Sequence, residues 1–122
     1  MIFRPRGVLN EEQMNAIVAF LEEEEERAEQ SFNRFSDLSK LDAIDLEFSY
    51  VFRVSLYRRL NYASRPVVKS AFYTPNEATA HLVQVHALVT DHSPLQVELF
   101  TEIAKAAEWL AVSPKDLQPT TG

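Results

Sequence analysis

Three histidines, His81, His86 and His92, are the first candidates for metal or proton-transfer chemistry in this chain. His81 and His86 are five residues apart in a stretch with helical spacing, which sets them about 140° apart around the axis. A zinc-binding helix carries its two histidines four apart on one face, so this pair does not qualify. Glu77 and His81 do share a face, but two ligands fall short of a zinc site, and a surface pair is the plainer reading. His92 lies in "TDHSP" between Asp91 and Ser93. Sequence neighbours rarely converge as a catalytic triad and no G-x-S-x-G turn exists, so turn chemistry accounts for this stretch.

Charged clusters come next. Glu22–Arg27 is a run of five glutamates closed by an arginine. It could be an acidic docking or metal site, but a solvated helix face is favoured, and like charges near the negative end of a helix predict fraying. Arg53, Arg58, Arg59, Arg65 and Lys69 form the densest positive stretch. They could frame an anion pocket with neighbouring helix N-termini, or serve as ordinary surface and dipole pairs; the second reading is preferred. The net charge is −6, with no basic face to neutralise phosphates, so no nucleic-acid partner is expected. Cysteine is absent, which removes disulfides, thiolate nucleophiles and Cys-ligated metals. The 2 glycines exclude Rossmann and Walker phosphate loops. No cofactor, no metal and no enzymatic activity are expected. No apolar run reaches the length of a membrane span, and "MIFRPRGVL" lacks the pattern of a signal peptide, so a cytoplasmic location is expected.

The elements that must position these residues alternate. Ile2–Leu9 reads as an edge strand, because Pro5 cannot donate to a ladder. Asn10 offers a helix cap with Gln13 three residues on, followed by the stripe Met14, Ile17, Val18 and Leu21. Ser31–Ser39 reads as a strand with Phe32 and Phe35 inward. Asp45 is the expected cap of a second helix, with Phe48, Val51, Phe52 and Ser55 on one face, flanked by Leu56 and Leu60. "RPVVKSAFY" is the clearest strand, a β-branched and aromatic run. Thr74 as cap and Pro75 at the first helical position open a third helix, with Ala78, Leu82, Val85 and Val89 inward and Leu88 beside them. "SPLQVELF" is a last strand with Val97 and Leu99 on one side. A fourth helix capped by Thr101 presents Ile103, Ala106, Ala107 and Leu110, with Trp109 and Phe100 read as core. The chain is a single domain over residues 1–112, and 113–122 is expected to be a flexible tail. Four βα units require crossovers, giving an α/β fold of four mainly parallel strands alternating with four helices.

The run "FSDLSKLDAIDLEF" resembles the strand–turn–helix of STAS domains, the SpoIIAA-like anti-sigma-factor-antagonist fold. Asp37, Leu38 and Ser39 match its D-L-S, and Ile44 and Asp45 match its hydrophobic–Asp pair. Val97, Phe100, Ala106, Trp109 and Leu110 are similar to the closing strand and helix of SpoIIAA-like proteins, so the resemblance spans about residues 7 to 112. In partner-switching members the serine that a kinase modifies sits two residues after that Asp. Here position 46 is Leu, position 47 is Glu and position 48 is Phe. Glu47 carries a fixed charge and cannot be phosphorylated; it is either a frozen mimic of phosphoserine or, more simply, an acidic residue in a first helical turn. Ser36, Ser39 and Ser49 do not replace the missing serine, and Ser39 is expected to bond backbone in its turn.

The resemblance implies a non-catalytic regulatory or protein-interaction module, with Asp45, Glu47 and Ser49 as the switch-equivalent loop. Tyr50, Tyr57, Tyr62 and Tyr73, with Phe48 and Phe52, make the second helix and its surroundings unusually aromatic. Core packing is the plainer reading of these aromatics; apolar area beyond what one helix face can bury marks an interface, and a self-association patch is the next reading. A homodimer through Phe48, Tyr50, Phe52 and Tyr57 is therefore expected, with a protein partner as a further expectation. The alternative is a lipid- or nucleotide-binding domain with a crevice at the helix starts, using Asp45, Glu47, Thr74 and Asn76.

Overall fold

A computed structural model describes residues 1–29 and 32–118. Among these residues the chain forms β1 (Ile2–Phe3), β2 (Gly7–Asn10), α1 (Glu11–Ala28), β3 (Arg34–Asp37), β4 (Leu41–Asp45) and α2 (Phe48–Asn61). There follow β5 (Val68–Tyr73), α3 (Glu77–Thr90), β6 (Leu95–Phe100), α4 (Ile103–Leu110) and α5 (Pro114–Leu117). The expected four-stranded parallel sheet is present, in the order β1-β3-β5-β6, with every pairing parallel.

Period-two alternation assigns its faces. Phe35, Ala71 and Tyr73 point to one side, where they pack with Phe100, Ala106, Ala107 and Trp109 beneath α4. Ser36, Ser70 and Phe72 point to the other, toward α1, α2 and α3. Phe100 and Trp109 meet at 5.7 Å between ring centroids, the core contact expected of them.

Several boundaries differ from expectation. Ile2–Leu9 is not one strand: Ile2 and Phe3 pair with β3, whereas Gly7–Asn10 leave the sheet and pair with β4 in a separate two-stranded ladder. Pro5 interrupts donation, and Gly7 turns the chain at φ +75°, a conformation that favours glycine. Leu41–Asp45, expected as a turn and cap, is the strand that completes that ladder. Asp45 ends it opposite Asn10, so the cap position of α2 falls to Glu47, whose side chain makes no capping bond. Asn76 rather than Thr74 caps α3, accepting from the Thr79 amide at 3.1 Å. Glu102 rather than Thr101 precedes α4. Asn10 caps α1 as expected, accepting from the Gln13 amide at 2.9 Å.

The inner face of α3 is rotated from the expected one. Thr79, Val83 and Thr90 are buried while Ala78 and Leu88 are exposed, because α3 packs against α2 as well as the sheet. Phe35 is buried inward as expected, but Phe32 precedes β3 and is only half-buried; Ser31 lies outside the described residues. The expected tail is also corrected. Ser113 forms a capping box with Asp116, and Leu117 of α5 is buried against Phe35 and Ala106. An apolar anchor outweighs the entropy of ordering so short a segment. Residues 119–122 of that expected tail lie outside the described residues.

Candidate functional site

The acidic run is a solvated face in part: Glu23 and Glu26 are exposed as expected, but the helix does not end within the run. α1 carries it to Ala28, and Glu25 turns inward and is buried. There it meets Arg34 from β3, Arg58 from the end of α2, and Tyr62. The Tyr62 hydroxyl is fully enclosed and donates to Glu25 Oε1. It accepts from Arg34 Nη2 at 2.7 Å and from Arg58 Nη2 at 3.0 Å. The two guanidiniums also lie over the Tyr62 ring, 5.5 and 5.1 Å from its centroid. Burial raises the Tyr62 phenol above its ordinary value and lowers Arg58 below its own.

Charge balance inside the network is uneven. Arg34 and Arg58 are buried cations and Glu25 is the buried anion that faces both. Glu22, 3.7 Å from Arg58 Nη1, and Arg65, 3.2 Å from Glu25 Oε2, stand at the solvent edge. Arg34 Nε and Arg58 Nη1 are buried without a hydrogen-bond partner among the described residues.

Beside this network lies a cavity of about 130 Å³ between the sheet and α1, α2 and α3. Arg34, Arg58, Ser55 and His86 line its polar end. Leu9, Met14, Ile44 and Leu46 line the end near the starts of α1 and α2. The two helices run side by side in the same direction: Tyr50 donates to Asn15 Oδ1 near their starts, and Asn61 donates to Glu22 near their ends. From Val51 to Arg58 the lining passes from apolar to cationic over about 10 Å of helix. His86 Nδ1 shares a hydrogen bond of 2.7 Å with Ser55 Oγ, and its ring meets Phe72 edge-on at 5.8 Å. Burial first, and then the charges of Arg58 and Arg34, lower His86 to about 4, so its imidazole is neutral near pH 7.

The residues singled out in the sequence are distributed differently. Asp45, Glu47 and Ser49 are all exposed around the start of α2, with Glu47 at the cap position itself. In the D-L-S turn, Ser39 bonds a side chain rather than backbone: its amide and hydroxyl donate to Asp37 Oδ1 at 2.9 and 2.6 Å. Thr74 is buried and accepts from the Asn76 amide at 3.1 Å, so the proposed crevice pair Thr74 and Asn76 is engaged in opening α3. His81 and His92 are exposed, apart from His86. Among the described residues no three His, Asp or Glu side chains gather as a metal site, and no helix is long and apolar enough to cross a membrane.

The basic stretch disperses. Arg59 donates to the Val89 carbonyl at 2.9 Å, and Lys69 donates to the Trp109 carbonyl at 2.8 Å while standing over its ring. Arg53 lies over the Tyr50 ring. Of the four aromatics expected at an interface, Phe48, Phe52 and Tyr57 are exposed, but Tyr50 is buried with its hydroxyl on α1. The outward stripe of α2 is completed by Leu56 and Leu60, which the sequence pattern placed as flanks of an inner face.

The Arg34–Glu25–Arg58–Tyr62 network went unread in the sequence. Its one local signal is Arg34, which falls on the inward phase of the alternating strand that also carries Ser36.

These layers define an α/β domain with the SpoIIAA-like fold. The particular likeness is to the crystal structure of an uncharacterized protein of the DUF3478 family with that fold, from Shewanella loihica PV-4. The TM-score is 0.55 at 19% identity, over 89% of this chain and 82% of that one. At such identity the likeness establishes the fold alone, the fold that the Asp37–Ser39 and Ile44–Asp45 motifs resembled. No family model matches the chain, and no curated protein matches it by sequence.

Proposed function

We propose that the protein is a non-catalytic, cytoplasmic interaction module whose α2 face docks a second copy of the same chain. One observation carries this reading. Phe48, Phe52, Leu56 and Leu60 recur every four residues and are 60, 53, 42 and 67% exposed. Leu88 of the adjacent α3 is exposed as well. A row of large apolar side chains turned to water is characteristic of a docking surface rather than of a solvated helix.

The stripe suits a two-fold partner. It spans about 18 Å along the helix, and an antiparallel copy sets Phe48 against Leu60 and Phe52 against Leu56 in a self-complementary pattern. Asp45 and Glu47 stand before the helix and Arg59 in its last turn, so the same arrangement brings acidic start to basic end. It also opposes the two helix dipoles favourably. Glu47, standing where the resemblance places a modifiable serine, lies on the rim of this face with a charge that no kinase controls.

Sedimentation velocity at tens of micromolar is expected to give a dimer. Phe52→Glu is expected to give a folded monomer with an unchanged circular dichroism spectrum. A wild-type protein that stays monomeric at several hundred micromolar would overturn the reading.

A further inference from the structure

We propose that the cavity between the sheet and α1, α2 and α3 is a binding site for a small apolar monocarboxylate, held with its carboxylate at Arg34 and Arg58 and its hydrocarbon toward Met14 and Ile44. This site is separate from the exposed α2 stripe and from the helix-start residues Thr74 and Asn76.

Charge is the first argument. Two buried guanidiniums face one buried carboxylate; Glu22, 3.7 Å from Arg58 Nη1, and Arg65, on Glu25, stand at the solvent edge, so the buried part of the network carries an excess positive charge. Uncompensated buried charge is costly, and a charged arginine cannot relieve it by losing its proton. Among the described residues Arg34 Nε and Arg58 Nη1 still lack acceptors, and both side chains line the cavity. A carboxylate matches the planar fork of a guanidinium and would supply both the charge and the acceptors.

Shape and polarity are the second. The wall opposite this polar end is apolar, contributed by Leu9, Met14, Ile44 and Leu46. An apolar lining of this kind favours hydrocarbon over water. Its volume is about 130 Å³, slightly below that of cavities that accept a six-carbon ring, and it is partly open, so a chain of about six to eight carbons can enter with its end toward the mouth. A free inorganic anion would leave the apolar end empty, and a neutral hydrocarbon would leave the cations unmatched. His86 is consistent with the same picture: burial first, and then the charges of Arg58 and Arg34, lower it and leave the ring neutral beside the ligand.

The test uses the full chain with sodium octanoate and 1-octanol as matched probes, at constant ionic strength set with sodium chloride. Calorimetry is expected to show octanoate binding at least about tenfold more tightly than octanol, the scale of one charge-assisted contact. Amide shifts in the nuclear magnetic resonance spectrum should centre on Leu21, Val51 and His86. Val54→Phe, which fills the cavity with an apolar ring, should abolish binding while the protein stays folded. Arg58→Gln should erase the preference for octanoate over octanol. Equal affinity for the two probes, no binding of either by folded protein at millimolar concentration, or shifts confined to Phe48, Phe52 and Leu56 would each overturn the proposal. None of these three outcomes needs a variant, so an Arg58→Gln protein that fails to fold leaves them decisive.

Discussion

Replacing Glu25 by glutamine would remove the one buried carboxylate that faces both Arg34 and Arg58, leaving only Glu22 at the solvent edge beside Arg58. Glu25 Oε1 lies 3.7 Å from Arg34 Nη2 and 3.8 Å from Arg58 Nη2, and it accepts the Tyr62 hydroxyl. Glutamine preserves the volume, so no void contributes; what changes is that two buried guanidiniums lose their shared counter-ion. Breaking a buried ion pair from one side costs about 3–5 kcal/mol. The exposed Arg65 adds little, because its contact with Glu25 is screened by water. A domain of this kind is stable by about 5–15 kcal/mol, so the loss is a large share of the whole. Urea unfolding read by the single tryptophan, Trp109, is the assay. With a slope of about 1–3 kcal/mol per molar urea, the midpoint should fall by about 2 M. Adding Arg34→Met should restore part of the loss, because it removes one of the stranded charges and leaves an apolar side chain in its place. A loss below about 1 kcal/mol with an unchanged slope, the range of exposed pairs, would refute the claim that these cations are dry and depend on one carboxylate.

Two further outcomes are expected. His86 has an ordinary value of 6.5 and is lowered to about 4 in the folded protein, so between those values the unfolded chain takes up a proton that the folded one refuses. Its contribution is present above pH 6.5 and disappears as pH falls toward 4, amounting to about 3 kcal/mol. Stability curves for wild type and His86→Gln should therefore converge over that interval, and parallel curves would contradict the assignment. Leu117→Ala should cost about 2–4 kcal/mol and alter Trp109 emission, since both residues belong to the same cluster. A neutral result would show that α5 is not anchored.

The alternation of strands and helices was legible because long periodic segments carry it: the run Val68–Tyr73 and the stripe Met14, Ile17, Val18 and Leu21 are unambiguous. The departure of Gly7–Asn10 into its own ladder was not, because Pro5 fits an edge strand as well as a break. Leu41–Asp45 is too short and too exposed for its alternation to stand out. Thr74 followed by Pro75 imitates a helix start, and only burial of the threonine shows that Asn76, two residues on, does the capping. The interior network was unreadable for a deeper reason. Charges at 25, 34 and 58 each look like surface residues when taken singly. Their mutual approach, and the Tyr62 hydroxyl that joins them, exist only once α1, β3 and α2 are stacked. The exposed stripe of α2 is half legible: its aromatics stand out in the sequence, but the pattern groups Phe48 and Phe52 with Val51 and Ser55 and leaves Leu56 and Leu60 as flanks, whereas the buried face is Tyr50, Val51, Ser55 and Arg58.

The β2–β4 ladder forms a two-stranded sheet of its own, and Leu9 and Ile44 within it form part of the cavity wall. A ribbon of two strands is marginal by itself, so its persistence depends on the side chains beneath it. Amide exchange at Leu9 and Ala43 should accordingly act as a gauge of how well the interior is filled, slowing when the void is occupied. Exchange at Ala71, in the middle of the main sheet, should register only the opening of the entire domain.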